Sequence, residues 1–132
     1  MYDINSIENY GRKPKNIQWN IVRGDTSSIR IDFFDLDEST NWDTSGWTYV
    51  ATTYDSKSDI LDELIVTPYS GYVVLTAPAD LTAYWGTKYI PVVAELTFDL
   101  QATIPNYQST VTWTPVLGTI RVFGDVSPGS TL

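Results

Sequence analysis

Tyr89-Ile90-Pro91-Val92-Val93-Ala94-Glu95-Leu96-Thr97-Phe98-Asp99-Leu100 is the stretch on which the fold assignment rests. Ile90, Val92, Ala94, Leu96, Phe98 and Leu100 fall on one side of an extended chain; Tyr89, Pro91, Val93, Glu95, Thr97 and Asp99 fall on the other. Successive side chains of a strand point to opposite faces, so this alternation predicts a long strand with one buried face. Pro91 cannot donate to a ladder and places the start of that strand at an edge or a bulge.

Working outward, the same period recurs in shorter pieces. Ile17, Trp19 and Ile21 alternate with Gln18 and Asn20, and Ile29, Ile31 and Phe33 alternate with Arg30 and Asp32. With Gly24-Asp25 as turn residues between them, these two read as a hairpin. Trp47 to Tyr54 is β-branched and aromatic, as strands are. Glu63 to Thr67 and Tyr72 to Ala77 form two more strands around Pro68-Tyr69-Ser70-Gly71, and Thr110 to Trp113 and Thr119 to Phe123 complete the set. Pro78 to Gly86 is the single helical candidate, with Pro at its start, Asp80 in its first turn and Gly as its stop. Seven or eight short strands with turn signals every 8–12 residues predict an all-β fold, an antiparallel, immunoglobulin-like β-sandwich with one short helical turn. Residues 1–16 read as an N-terminal arm, 17–127 as the sandwich domain and 128–132 as a C-terminal tail.

Composition narrows the function classes. The chain has 132 residues, the length of one domain, and is 42% hydrophobic, enough for a core without staples. It contains no cysteine and no histidine. That removes disulfides, thiolate or imidazole zinc sites, and the Ser-His-Asp and Cys-His catalytic arrangements. The expectation is a protein that is not an enzyme and uses no cofactor or metal. The net charge of −8 argues against nucleic acid, because phosphate binding needs clustered Lys and Arg, and Arg12, Lys13 and Lys15 are the only such cluster. No basic-then-apolar leader opens the sequence, and no apolar run approaches the roughly 20 residues that span a bilayer.

Each candidate site has a plain structural alternative. Arg23-Gly24-Asp25 spells a cell-adhesion tripeptide, yet Gly-Asp between strands is ordinary turn chemistry. Asp32, Asp35, Asp37, Glu38 and Asp43 could supply oxygen ligands to a hard cation, but their spacing departs from the EF-hand pattern and equally describes a solvated acidic loop. Glu95 lies in the best strand but on its polar side. The arm carries Tyr2, Ile4, Ile7 and Tyr10, which suit either a loose terminus or a segment that packs on a neighbouring subunit. Five Trp and nine Tyr exceed what a core of this size needs. Trp42, Trp47, Tyr69, Tyr84, Trp85 and Trp113 fall in or beside loops, where aromatics anchor protein interfaces or stack on sugars. The alternative is that several fold inward and cap the ends of the sandwich.

The landmarks also come in a familiar order. Arg23-Gly24-Asp25-Thr26 precedes a strand, and Thr44-Ser45-Gly46-Trp47-Thr48 opens the next. Gly71-Tyr72-Val73-Val74-Leu75 leads to a helical turn around Leu81. Gly86-Thr87-Lys88-Tyr89 enters the long strand, and Gly118-Thr119-Ile120-Arg121-Val122 closes the domain before Asp125-Val126-Ser127. Over residues 17–127 this resembles the small β-sandwich domains of tailed-bacteriophage virion proteins, such as the N-terminal domain of the baseplate upper protein family. The resemblance implies a structural module of tail, baseplate, neck or capsid, assembled in the host cytoplasm. Its partners would be other virion proteins or further copies of itself, with neither nucleic acid nor membrane. A chain ending at Leu132 would then be an adaptor, a decoration protein or a small tail component. The alternative is a carbohydrate-binding module that meets host glycans through exposed aromatics.

Overall fold

A computed structural model describes residues 14–33, 43–55, 59–86, 92–105 and 110–124, apart from the side chains of residues 92 and 93. Tyr2, Ile4, Ile7, Tyr10 and Trp42, and the acidic residues Asp35, Asp37 and Glu38, lie outside them.

The chain is all-β. Among the described residues its elements run β1 (Lys15–Val22), β2 (Ser27–Asp32), β3 (Thr48–Tyr54), β4 (Ile60–Tyr69), β5 (Tyr72–Ala77), a helical turn α1 (Ala79–Thr82), β6 (Val92–Pro105) and β7 (Thr110–Phe123). The strands form one seven-stranded sheet in the order β1-β7-β6-β3-β4-β5-β2, curled nearly into a barrel. β1 begins at Lys15, two residues inside the stretch assigned to the arm.

The alternation of the long strand continues further than expected. Leu96, Phe98 and Leu100 are buried, and Ala102 and Ile104 extend the same face to Pro105. Its partner β7 is also a single 14-residue strand, where two separate strands had been expected. The two segments are joined through a bulge: Leu100 pairs with Val116 and Ala102 with Trp113, so Thr114 and Pro115 together face Gln101. A bulge leaves one residue unpaired, which is where a proline can sit inside a sheet.

The expected β1–β2 hairpin does not form. β1 instead pairs in parallel with β7, Ile17 opposite Gly118 and Ile21 opposite Val122, while β2 pairs with β5 at the other end of the sheet order. The reason lies in the turn between them. Asp25 N–H closes it onto Val22 O at 3.0 Å. Gly24 N–H, however, donates to Thr82 Oγ1 at 3.1 Å, and Thr82 Oγ1 donates to Asp25 O at 2.8 Å. The backbone groups that would start a ladder are held by the helical turn, and the two strands diverge around it. Trp19 Nε1–H bonds to Ser27 Oγ at 3.0 Å between the two strands.

β4 changes partner along its length. Ile60 and Asp62 to Leu64 pair with β3, and Ile65 to Tyr69 pair with β5. The β3–β4 register shifts at Thr53/Tyr54, and the buried Thr53 hydroxyl occupies that irregularity, donating to Asp62 O and accepting from Asp62 N–H. Beyond Leu64 no β3 residue lies alongside, so the missing N–H of Pro68 leaves no gap in a ladder. Ser70-Gly71 then turn the chain, with Gly71 at φ 81°, a conformation that favours glycine.

The core draws on every strand, with Trp19, Ile21, Val73, Leu75, Phe98, Leu100, Ile120 and Val122 among its best-covered members. Each such side chain contributes roughly 1.5–3 kcal/mol on burial. An exposed ion pair such as Arg30–Asp32 is screened by solvent and adds little, so packing and not charge holds this sheet together. The tightest point is Gly118: a Cβ there would lie 2.5 Å from Ile17 O and closer still to the Phe98 ring. Gly118→Ala should therefore destabilise the protein by about 3 kcal/mol, since neither a paired backbone nor a core ring can give way cheaply; urea unfolding measures it. Thr82→Val should cost roughly 1–3 kcal/mol by leaving Gly24 N–H and Asp25 C=O without their partner, and Thr82→Ser should restore most of the loss.

Candidate functional site

The two ends of the curled sheet are closed by different means. At one end Phe33, Trp47, Tyr49 and Trp113 form an aromatic cluster, with Phe33 5.4 Å from Trp47, 6.1 Å from Tyr49 and 6.4 Å from Trp113 between ring centroids. Thr44 anchors it to the β4–β5 turn, its hydroxyl donating to Tyr69 O at 3.3 Å and accepting from Gly71 N–H at 3.0 Å. Those bonds use the hydroxyl's one donor and one of its two acceptor lone pairs. The nearby Tyr49 OH is buried and has no hydrogen-bond partner of good geometry among the described residues.

At the other end the segment from Pro78 to Gly86 lies across the opening. Ala79 N–H donates to Thr26 Oγ1, Thr82 grips the β1–β2 turn, and Trp85 N–H returns to Thr82 O. Trp85 is only 2% exposed, and its Nε1–H reaches Asp62 Oδ2 at 2.9 Å. That bond ties two segments whose adjacent residues face outward. Tyr84 is 85% exposed beside Trp85, and Ile60 is 74% exposed two residues before Asp62, with Leu61 exposed between them. An apolar rim of Tyr84, Ile60 and Leu61 thus flanks, in sequence, the two residues of the Trp85–Asp62 bond.

A third feature lies on the outer face of β2, β5 and β4. Tyr69 and Tyr72 stack at 4.7 Å and 9°, the Arg30 guanidinium sits 3.6 Å from the Tyr72 centroid, and Asp32 holds Arg30 through Nε and Nη2. The outer face of the other strands is different in character. Gln18 and Asn20 bond to each other there, and Glu95, exposed, lies opposite Arg121.

The aromatics singled out in the sequence thus have separate fates. Trp47, 8% exposed, and Trp85 are core members, and Trp113 is half-buried against Phe33. Tyr69 and Tyr84 are exposed, on different parts of the molecule. Sequence reasoning missed Ile60, Leu61, Arg30 and Tyr72. The last had a readable signal, because a two-residue turn at Ser70-Gly71 puts Tyr69 directly opposite Tyr72. Ile60 and Leu61 carried no such signal, since an apolar pair beside a strand reads as core. In the Arg-Gly-Asp turn, Arg23 Nε is buried and the Gly24 and Asp25 backbone is held by Thr82, an arrangement of a structural turn. Of the acidic loop, Asp43 is described: its carboxylate accepts from the Ser45 hydroxyl and backbone N–H, which lowers its pKa below 3.8. No group of three acidic residues placed to hold a metal occurs among the described residues, nor any helix long and apolar enough to cross a membrane.

The chain matches no protein-family model and no curated protein sequence.

Burial raises the pKa of Tyr49 above 10.0, with the Thr44 hydroxyl opposing it slightly. Tyr54 is raised by burial and then by the Asp99 carboxylate that accepts its hydroxyl proton at 3.1 Å. A raised phenol favours the neutral form in the folded state, so its stabilisation is complete below the unfolded value near 10 and is lost as pH rises. Unfolding free energy should fall between about pH 9 and 12, and Tyr49→Phe should flatten that fall without loss at neutral pH.

Proposed function

We propose that this chain is a structural protein of a tailed-bacteriophage virion, an adaptor, decoration or small tail component without catalytic activity or cofactor. It works through protein–protein contacts, in several copies, among other virion proteins assembled in the host cytoplasm. The observation that carries the reading is the apolar rim: Tyr84 is 85% and Ile60 74% exposed, each within two residues of a partner in the Trp85–Asp62 bond. Large apolar side chains held in place and left uncovered are how protein interfaces are built. The absence of histidine and cysteine from the sequence, the charge of −8 and the ordered landmarks shared with virion sandwich domains support the same conclusion. On this reading the curled sheet works as an immunoglobulin-like sandwich. β1, β7, β6 and β3 form one layer, β5 and β2 form the other, and β4 crosses between them. The arm, with Tyr2, Ile4, Ile7 and Tyr10, and Trp42 add further contacts to neighbours.

Light scattering after size exclusion, followed by co-sedimentation with tailed-phage particles, tests this. The wild-type chain should form a discrete oligomer or travel with the particles. Tyr84→Ser combined with Ile60→Ser should abolish that association while leaving unfolding free energy within about 0.5 kcal/mol. Removing residues 1–13 should weaken incorporation and leave β1 paired. A chain that stays monomeric and ignores the particles overturns the reading.

A further inference from the structure

The Tyr69–Tyr72–Arg30–Asp32 column is built with one open end. Register places Tyr69, Tyr72 and Asp32 in one row across β4, β5 and β2, with Thr67, Val74 and Arg30 in the next. Tyr69 stacks on one face of Tyr72, and the Arg30 guanidinium covers the other, since two groups at 4.7 and 3.6 Å cannot share a face. Asp32 takes Arg30 through Nε at 3.1 Å and Nη2 at 2.9 Å, which locks the guanidinium plane. Both faces of Tyr72 are thereby occupied, whereas Tyr69, 48% exposed, is stacked on one face only among the described residues. A cross-strand tyrosine pair stabilises a hairpin without any cation behind it. The guanidinium and its carboxylate add a second contact that disfavours turning the Tyr72 ring away.

Three kinds of group stack on a fixed tyrosine face: a cation, a planar aromatic, or a sugar ring through its C–H bonds. The charge of −8 disfavours polyanions, including nucleic acid. A cation is disfavoured locally, because Arg30 already draws on the π density of the stacked pair from its far side. A neutral sugar meets neither penalty, and unlike a neutral aromatic ring it carries hydroxyls that can also use a polar side chain next to the tyrosine. Thr67, exposed and two residues before Tyr69 on the same strand face, supplies a hydroxyl within a ring's reach. A ring whose hydroxyls are all equatorial presents its C–H bonds to the aromatic plane, and a pre-ordered tyrosine spares the entropy of fixing it on binding.

We propose that the free face of Tyr69 is a stacking subsite for a neutral, equatorially substituted pyranose of a β-linked oligosaccharide. It is separate from the apolar rim at Tyr84, so assembly and sugar binding stand or fall independently. The test is a proton–nitrogen NMR titration of the full chain with cellohexaose and with chitohexaose. Shift changes should centre on Thr67, Tyr69, Tyr72 and Arg30, with a millimolar dissociation constant. Tyr69→Ala should weaken binding by about tenfold or more, and Tyr69→Phe, which keeps the ring, should retain it. Absence of localised shifts overturns the site, as do shifts that survive Tyr69→Ala. Concentration-dependent broadening at these residues without sugar overturns it too, by identifying a second copy as the occupant.

Discussion

At Gly118 three strands meet with no room for a side chain, and the rest of the fold depends on that approach. It lies opposite Phe98 of β6 on one side and Ile17 of β1 on the other, and it has no room for a side chain. The space a Cβ would take is filled by the Phe98 ring, against which Trp19 packs edge-on at 5.8 Å. β1 can therefore lie alongside β7 in parallel, and its Trp19 and Ile21 complete the core. A side chain at this position would push β1 and the Phe98 ring apart together. Packing at native density leaves no third option.

At three breaks in the regular ladder a buried threonine hydroxyl takes over. Thr53 does so at the β3–β4 register shift, Thr44 at the β4–β5 turn and Thr82 at the β1–β2 turn. A hydroxyl both donates and accepts, so one small side chain can serve two backbone groups that have lost their neighbours. These are the three buried polar residues among those described, and each stands at such a break. Together they let one continuous sheet bend at β4 and close both ends without leaving those backbone groups unpaired.

The surface divides in the same way. The rim at Tyr84 and Ile60 exists because Trp85 turns inward to Asp62, leaving its neighbours in water. The tyrosine column exists because Ser70-Gly71 is a two-residue turn, which brings Tyr69 and Tyr72 face to face. Loop position alone could not separate these cases. Trp85 and Tyr84 are adjacent in the chain and were equal candidates, yet one is core and the other surface. What decides between them is the direction of the backbone after α1, and that depends on contacts with Thr26, Gly24 and Asp62, far away in sequence.

The sequence by itself determined the all-β class, the faces of the strands and the helical turn after β5. A period of two and turn residues such as Ser70-Gly71 are local properties, and local sterics suffice to set them. Only the tertiary structure decided which strands are neighbours. Alternation states which side of a strand is buried but not what lies beside it, so Ile17–Ile21 and Ile29–Phe33 looked like a hairpin from their patterns. The parallel pairing of β1 with β7, the change of partner along β4 and the burial of Trp47 and Trp85 all follow from contacts over long sequence separations. Such contacts are selected by mutual fit around Gly118, Phe98 and Trp19, and that fit comes into being only when the whole sheet has assembled.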